Sequence, residues 1–366
     1  MFRVQSLIDV LAPINAEQQL QARSSLPRRL LRNSRRKNAS LRALDTQLDA
    51  LEARLGDLSR ALGNSPEIHA PLVCLGDRCP DLDTATQLLH RLDVLSGGVS
   101  PSGPGIESGI YRLPHLGHGV VERRGGEVIA LDAHRRSAGG HVVYFPIPGL
   151  FADLPFPPVY AMSAKPGCSA HALRQYERAR ALLSRVDQVV FADFERTITT
   201  TALLPPVPHE QGQPLPQAHW SFNLRLRLPG AVFVNPFSVG VPALCEGLLH
   251  EYLHQRMWLW WELCPPCGLP RWGPSLRSPI SGQMRPLVTM LQALVIYRCV
   301  IQLHQALLRT DALTTQEQDN CRTRAQSLRA ALPQLACDLA KHLRPGSGAH
   351  RVLTLVHEDF MPDLVW

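Results

Sequence analysis

The stretch that decides the fold is LCEGLLHEYLHQRMWLWWEL, residues 244–263, an apolar segment that carries two histidines four residues apart. Its apolar residues recur at the spacing of a helix, which predicts a helix buried in the core. They are Leu248, Leu249, Leu253 and Met257. On such a helix His250 and His254 lie one turn apart on one face, and Glu251 directly follows the first histidine. Two imidazoles placed in this way can bind one metal ion.

This HExxH motif does not by itself complete the ligand set of a metal. Histidines also occur as ordinary core residues, and two of them seldom hold a metal well without a third ligand. The large zinc-peptidase families take that ligand from fixed positions, but Trp260 stands at one of them and residues 283–308 contain no acid. The only histidine in 283–308 is His304. The sequence therefore matches neither zinc-peptidase pattern.

The composition limits the class of protein. The 366 residues are enough for one large domain or two ordinary ones. Lys and Arg outnumber Asp and Glu by 38 to 31, an excess too diffuse to predict nucleic-acid binding. The first residues lack the apolar run of a signal peptide, so we expect a cytoplasmic protein. The most apolar helix candidate, 288–308, is interrupted by polar residues and is typical of a buried helix rather than a membrane span.

Residues 1–108 are predicted to form an N-terminal helical region. Residues 23–38 carry seven cationic side chains and no acid, which indicates either a solvated, partly disordered arm or a dock for an acidic peptide. Between Asn38 and Gly63, leucines recur at steps of three and four and so share one seam of a helix. They are Leu41, Leu44, Leu48, Leu51, Leu55, Leu58 and Leu62. We expect this seam to pack on the chain's own helices, with a dimer zipper as the alternative.

Residues 109–366 are predicted to form an α+β domain with a predominantly helical C-terminal half and a small antiparallel sheet. The HExxH helix is expected in its core. Strands are predicted at 119–122, 127–132, 141–147, 220–228 and 231–234, and helices at 170–194, 283–308, 314–332 and 334–343. Thr314 and Glu317 form the capping box of a helix that Pro333 is expected to interrupt.

Two segments of the chain resemble a bacterial family of peptide-modifying proteins. They are GLLHEYLHQRMWLWWEL at 247–263 and WGPSLRSPISGQMRPLVTMLQALVIYRCVIQLHQAL at 272–307. They are similar to the HExxH-type proteins of ribosomal-peptide gene clusters, which are described as iron(II)- and 2-oxoglutarate-dependent peptide β-hydroxylases. In that family a loop of the type SPWR…RP follows the HExxH helix, and residues 275–277 and 285–287 correspond to it here. The resemblance covers roughly 170–343 and does not extend to 1–110.

The resemblance implies an iron site. His250 and His254 would bind iron(II), and the family often carries a further histidine on the second helix. That position falls here near Gln292 or Tyr297, so the third ligand differs from the pattern. His304, further along the same helix, is our candidate for it.

The resemblance also implies a site for 2-oxoglutarate, whose remote carboxylate needs a cation. A guanidinium can pair with it through two hydrogen bonds, and Arg285 is the first candidate and Arg277 the second. The alternative for either arginine is a structural salt bridge. Glu251 would either be a metal ligand or orient the two histidines.

Two other functions remain open. In a zinc metallopeptidase, Glu251 would act as the general base that activates a zinc-bound water. In a non-catalytic accessory protein, the same fold would bind a peptide without a competent metal site. The expected partner is a precursor peptide, and neither nucleic acid nor a membrane is expected as a partner.

Overall fold

The helices and strands below come from a computed structural model. It describes residues 28–36, 41, 44–57, 72, 75, 82–97, 109–113, 119–124, 127–131, 134–136, 141–145, 168–204, 219–220, 230–236, 240–263 and 273–360. The helices are α1 (Asp45–Asp57), α2 (Leu82–Leu95), α3 (Cys168–Val186), α4 (Gln188–Thr197), α5 (Val241–Leu263), α6 (Leu287–Leu307), α7 (Thr315–Ala340) and α8 (Gly348–Phe360).

The described strands form three sheets. They are β1 (Gly109–Leu113), β2 (Gly119–Arg124), β3 (Glu127–Leu131), β4 (His134–Arg136), β5 (Val142–Tyr144), β6 (Thr200–Leu203), β7 (His219–Trp220), β8 (Ala231–Val234), β9 (Ser275–Arg277) and β10 (Met284–Pro286). β1-β2-β3 is an antiparallel meander, and β9 and β10 form a hairpin. The third sheet has the order β4-β5-β6-β8-β7 and is mixed, because β5–β6 and β6–β8 pair in parallel.

The predicted α+β class is confirmed, with a helical C-terminal half and small antiparallel sheets. The predicted hairpin is confirmed as well, since β2 pairs with β3 and Arg124 lies opposite Glu127. The mixed sheet was not predicted. Of the predicted strand at 220–228, residues 221–228 lie outside the described residues.

The chain divides into two compact units that interleave along the sequence. The first comprises Tyr176–Phe194 and the chain from Gly240 onward, together with Met1–Ile14, which lies outside the described residues. The second comprises Asn15–Gln175 and Glu195–Val239. Neither unit begins at residue 109, where the sequence predicts a domain boundary. Both the HExxH helix and the helix that carries His304 belong to the first unit.

The core of the first unit is built around α5 and α6. On α5 nearly every described side chain is buried, as expected for a helix that is apolar on most sides. The predicted position of the HExxH helix in the core is confirmed. Among the described residues, α6 alone is long and apolar enough to cross a membrane, and 72% of its most apolar window is buried inside the protein.

Two predicted helices differ from those observed, and one observed helix was not predicted. The predicted helix at 170–194 is two helices, and the Asp187 carboxylate accepts from the backbone N–H groups of Val189 and Val190 where α4 begins. The capping box at Thr314 is confirmed, but α7 continues through Pro333 instead of ending there. Helix α8 was not predicted at all.

The basic arm is helical where the structure describes it. Residues 28–36 are helical, and their arginines bind acids of α1, as in the 2.7 Å hydrogen bond from Arg32 Nε to Glu52 Oε1. Arg35 lies 2.9 Å from Asp45 and 2.6 Å from Asp49. Residues 23–27 and 37–38 of the arm lie outside the described residues, so the choice between a solvated, partly disordered arm and a dock for an acidic peptide stays a prediction. Among the described leucines of the seam, those with fully buried side chains are Leu41, Leu48, Leu51 and Leu55.

Candidate metal centre

His250 and His254 point toward each other from consecutive turns of α5. Their Nε2 atoms are 3.1 Å apart, and their ring centroids are 4.7 Å apart with the planes inclined by 66°. Both side chains are half-buried, so they are not sealed in an apolar interior. The sequence prediction that the two rings share one face is confirmed by this convergence.

The distance between the two nitrogens suits one shared cation. Metal–nitrogen bonds of about 2.0–2.1 Å separate two donor nitrogens by about 2.8–3.0 Å at octahedral angles and about 3.3–3.4 Å at tetrahedral angles. Without a metal, the same distance fits a hydrogen bond in which one neutral ring donates and the other accepts. The pair therefore offers two nitrogen ligands at the correct separation. Among the described residues, however, no group of three or more His, Cys, Asp or Glu side chains could hold a metal ion.

Glu246 precedes His250 by one turn and lies in the same row of α5. It is buried, and Arg324 of α7 binds its carboxylate with Nη2 at 2.6 Å and Nε at 3.0 Å from Oε1. His304 Nε2 of α6 lies 2.9 Å from Oε2. Three helices therefore meet at one carboxylate.

This arrangement controls the charge of Glu246. Burial alone would raise the pKa of its carboxyl group, but the hydrogen bonds from His304 and Arg324 and the positive charge of Arg324 outweigh burial. The pKa of Glu246 is lowered to about 2 as a result. At neutral pH the group is an ionised, buried carboxylate.

His304 is placed differently from the role predicted for it. An ionised carboxylate can only accept hydrogen bonds, so the His304 Nε2 atom carries the hydrogen and donates to Glu246. Its other nitrogen, Nδ1, is buried and makes no hydrogen bond within the described part of the chain. The atom pairing makes His304 a partner of Glu246, and its role as third metal ligand stays a prediction.

The opposite side of α5 is attached to α4. The Tyr252 hydroxyl donates to the Asp193 carboxylate, and Arg256 Nε lies 3.2 Å from the same oxygen. Burial and the charge of Asp193 raise the pKa of Tyr252 well above its usual value, so the phenol keeps its proton. Phe194 packs edge-on against the Tyr252 ring at 6.0 Å. α5 is therefore held to α6 and α7 through Glu246 of the histidine row, and to α4 on the opposite face.

Glu251, the glutamate of the motif, is buried, with 2% of its surface exposed. Successive residues of a helix are rotated by about 100°, so Glu251 lies beside the histidine row and not within it. Both predicted roles, ligand and orienting group, are compatible with that position.

The candidate cofactor arginines lie on the β9–β10 hairpin that leads into α6. The register pairs Arg277 with Met284 and Arg285 with Leu276, so the two arginines are on opposite faces. Arg285 is half-buried beside Leu276, whereas Arg277 is exposed and donates to the Gly282 carbonyl at 2.9 Å. Arg285 donates to the Gln283 amide oxygen and makes no ion pair with a described acid.

The phenol of Tyr297 is influenced by charged groups of both the hairpin and the Glu246 network. It lies on α6, and burial raises the pKa of its phenol, while a Ser278 hydrogen bond and the charges of Arg324 and Arg285 oppose that rise. The phenol is therefore within electrostatic reach of both arginines and of Glu246.

An apolar pocket lies elsewhere on α5. It is lined by Leu183, Val186, Asp187, Val190, Phe191, Phe194, Leu249 and Leu303. None of these residues is a predicted site residue.

Glu246 and Arg324 were missed by sequence reasoning, which named Tyr297 only as a position where the family often has a further histidine. Glu246 carried a signal, because it precedes His250 by four residues and so belongs to the same helix face. Arg324 lies 78 residues from Glu246 and carried no local signal. No protein-family model matches the chain, and no curated protein matches it either.

Proposed function

We propose that the protein is a metal-dependent enzyme that hydroxylates a side chain of a ribosomally made peptide, using iron(II) and 2-oxoglutarate. The observation that supports a metal is the 3.1 Å separation of the His250 and His254 Nε2 atoms on one half-buried helix face. Residues 247–263 and 272–307 resemble the HExxH-type proteins of ribosomal-peptide gene clusters, and this resemblance supports the reaction class and the peptide partner. The proposal includes a cytoplasmic location for the protein and for its peptide substrate.

The chain's own residues have three tasks in this reaction. His250 and His254 offer unprotonated Nε2 atoms to the metal, which leaves its other positions for reactants. Arg285 binds the remote carboxylate of 2-oxoglutarate, since it is half-buried and no described acid neutralises it. Glu251 lies beside the histidines and orients them. The oxidant is dioxygen, which bound iron(II) would activate: one oxygen atom would enter the peptide side chain, and the other would leave in the succinate that forms, with CO2, from 2-oxoglutarate.

The proposal is tested on protein purified without a histidine tag. The metal content is measured first, followed by succinate formed from 2-oxoglutarate in the presence of iron(II), ascorbate and a candidate precursor peptide. We expect bound iron, succinate and a peptide heavier by one oxygen atom. His250→Ala and His254→Ala should abolish all three, while His342→Ala, at an exposed histidine of the same unit, should not.

The alternatives give different results in the same assay. Bound zinc, peptide fragments and no succinate would identify a zinc metallopeptidase that uses Glu251 as general base. Peptide binding with no stoichiometric metal would identify the non-catalytic accessory. Either result overturns the hydroxylase proposal.

A further inference from the structure

We propose that Glu246, His304 and Arg324 form a network that positions the histidine pair of α5, so that His304 acts through Glu246 and not as a metal ligand. The inference rests on the metal site of the proposed function. It assigns a role to a buried charged cluster that the hydroxylation chemistry does not itself use.

The geometry of α5 carries the first step. Residues four apart on a helix are rotated by only about 40°, so Glu246, His250 and His254 form one row along its surface. A helix is stiff over two turns. Whatever fixes the rotation of α5 at Glu246 therefore also fixes the direction in which both imidazoles point.

The contacts of Glu246 carry the second step. Its two carboxylate oxygens bind Arg324 of α7 and His304 of α6, at 2.6–3.1 Å. A two-pronged guanidinium contact defines the orientation of the carboxylate as well as its distance. Arg324 thereby ties α5 to α7, and His304 ties α5 to α6, at a point one turn from His250.

The chemistry of His304 carries the third step. Its Nε2–H is used by Glu246, so only the buried Nδ1 atom remains for a metal. Hydrogen-bonded partners that orient metal ligands are themselves needed for affinity, and their loss weakens metal binding by about 10–100-fold. The network reaches the two histidines through α5, and we expect a loss of the same order here.

The unit contains a matched control for this network. Arg178 of α3 binds Glu317 of α7 at 2.9 Å, and the side chain of Arg178 is 42% exposed. The side chain of Arg324 is 38% exposed. Removing either arginine leaves one buried glutamate without its cation. Of the two glutamates, only Glu246 lies in the same row of α5 as His250 and His254.

The experiment titrates full-length protein with Co(II), whose visible spectrum reports coordination geometry. Arg324→Met and Glu246→Gln should bind Co(II) about 10–100-fold more weakly than wild type, with an altered spectrum. Arg178→Met should lose a similar amount of thermal stability but keep the wild-type affinity and spectrum. Glu246→Gln is isosteric, so it reports on the network even if Arg324→Met does not fold.

The outcomes separate this inference from the proposed function. Equal Co(II) affinities in wild type, Glu246→Gln and Arg178→Met would overturn the positioning role alone. If His304→Gln lost Co(II) binding while Glu246→Gln kept it, His304 would be a metal ligand. That result would also overturn the positioning role. A wild-type protein that binds no Co(II) would overturn both.

Discussion

At the scale of single residues, charge is controlled most strongly at Glu246. The carboxylate is buried, yet its pKa is lowered to about 2, because the Arg324 and His304 donors outweigh burial. A buried charge with such partners is costly to disturb, since removing one partner leaves the other uncompensated. The residue therefore links stability to pH.

We predict that Glu246 stabilises the protein only above acidic pH. Its folded pKa of about 2 lies below the ordinary 4.5, so the folded state binds fewer protons, and the contribution is complete above about pH 4.5. It is lost as the pH falls from about 4.5 to 2, and it amounts to on the order of 3 kcal/mol. Unfolding of wild type and Glu246→Gln in urea, from pH 2 to 7, measures it. A difference that does not shrink in acid would contradict the prediction.

The Tyr252 hydroxyl is predicted to stabilise the junction of α5 and α4. Tyr252→Phe removes a hydrogen bond to the Asp193 carboxylate in a buried setting, which should lower the free energy of unfolding by about 2 kcal/mol. The control is Arg322→Met, which breaks an ion pair whose two side chains are more than half exposed. That change should cost under about 0.5 kcal/mol. Equal effects in urea unfolding would show that the phenol contributes only packing.

At the scale of elements, α7 departs from its local sequence. Pro333 lacks a backbone N–H and crowds the carbonyl one turn earlier, so isolated sequence reasoning ends the helix there. The helix continues because its buried residues on both sides of the proline, among them Leu328, Leu332 and Leu335, belong to one packed face. Tertiary packing outweighs the local penalty.

We expect Pro333→Ala to stabilise the protein. The missing hydrogen bond costs about 3 kcal/mol in a helix interior, and proline returns less than about 1 kcal/mol by restricting the unfolded chain. The net gain should be about 2 kcal/mol, measured by denaturant unfolding. Ala330→Gly, at an exposed position of α7, should instead lose about 1 kcal/mol. No gain from alanine would mean that the packing requires the proline geometry.

The hairpin register predicts that the two candidate arginines are not equivalent. Arg285 lies on the half-buried face and Arg277 on the exposed one, so only one of them can serve a cofactor beside α6. Arg285→Met should weaken 2-oxoglutarate binding to the iron(II)-loaded protein by about tenfold or more, as loss of a charge-assisted contact requires. Arg277→Met should leave the affinity unchanged. Calorimetric titration under nitrogen measures both, and the reverse order would refute the assignment.

At the scale of the whole molecule, the two compact units divide the chemistry unequally. The histidine pair, the Glu246 network and the β9–β10 hairpin all belong to the unit formed by 176–194 and the chain from 240. A ligand of the folded state stabilises the part of the protein that holds it.

A bound metal is therefore predicted to protect one unit from hydrogen exchange more than the other. Co(II) at a hundred times its dissociation constant should add about 2.7 kcal/mol of stability. Hydrogen exchange should slow in α5, α6 and α7 more than in α1, α2 and the β1–β3 meander. His254→Ala should show neither effect. Equal slowing throughout the chain would contradict the assignment of the metal to that unit.

Much of the local structure could be predicted from the sequence, because its causes are local. The HExxH helix, the β2–β3 hairpin and the Thr314 capping box each depend on residues within a few positions of one another. The break at Asp187 and helix α8 were missed, although a capping aspartate was present in the sequence. The partners of Glu246 could not be predicted, because they lie 58 and 78 residues away.

The sequence by itself determined that two imidazoles lie one turn apart on a buried helix, since helical periodicity alone sets that geometry. Only the tertiary structure decided which groups meet them. It paired His304 with Glu246, separated Arg277 from Arg285, and carried α7 through Pro333. The physical reason is the same in each case: a buried charge or apolar face takes its partner from whatever segment packs beside it, at any distance along the chain.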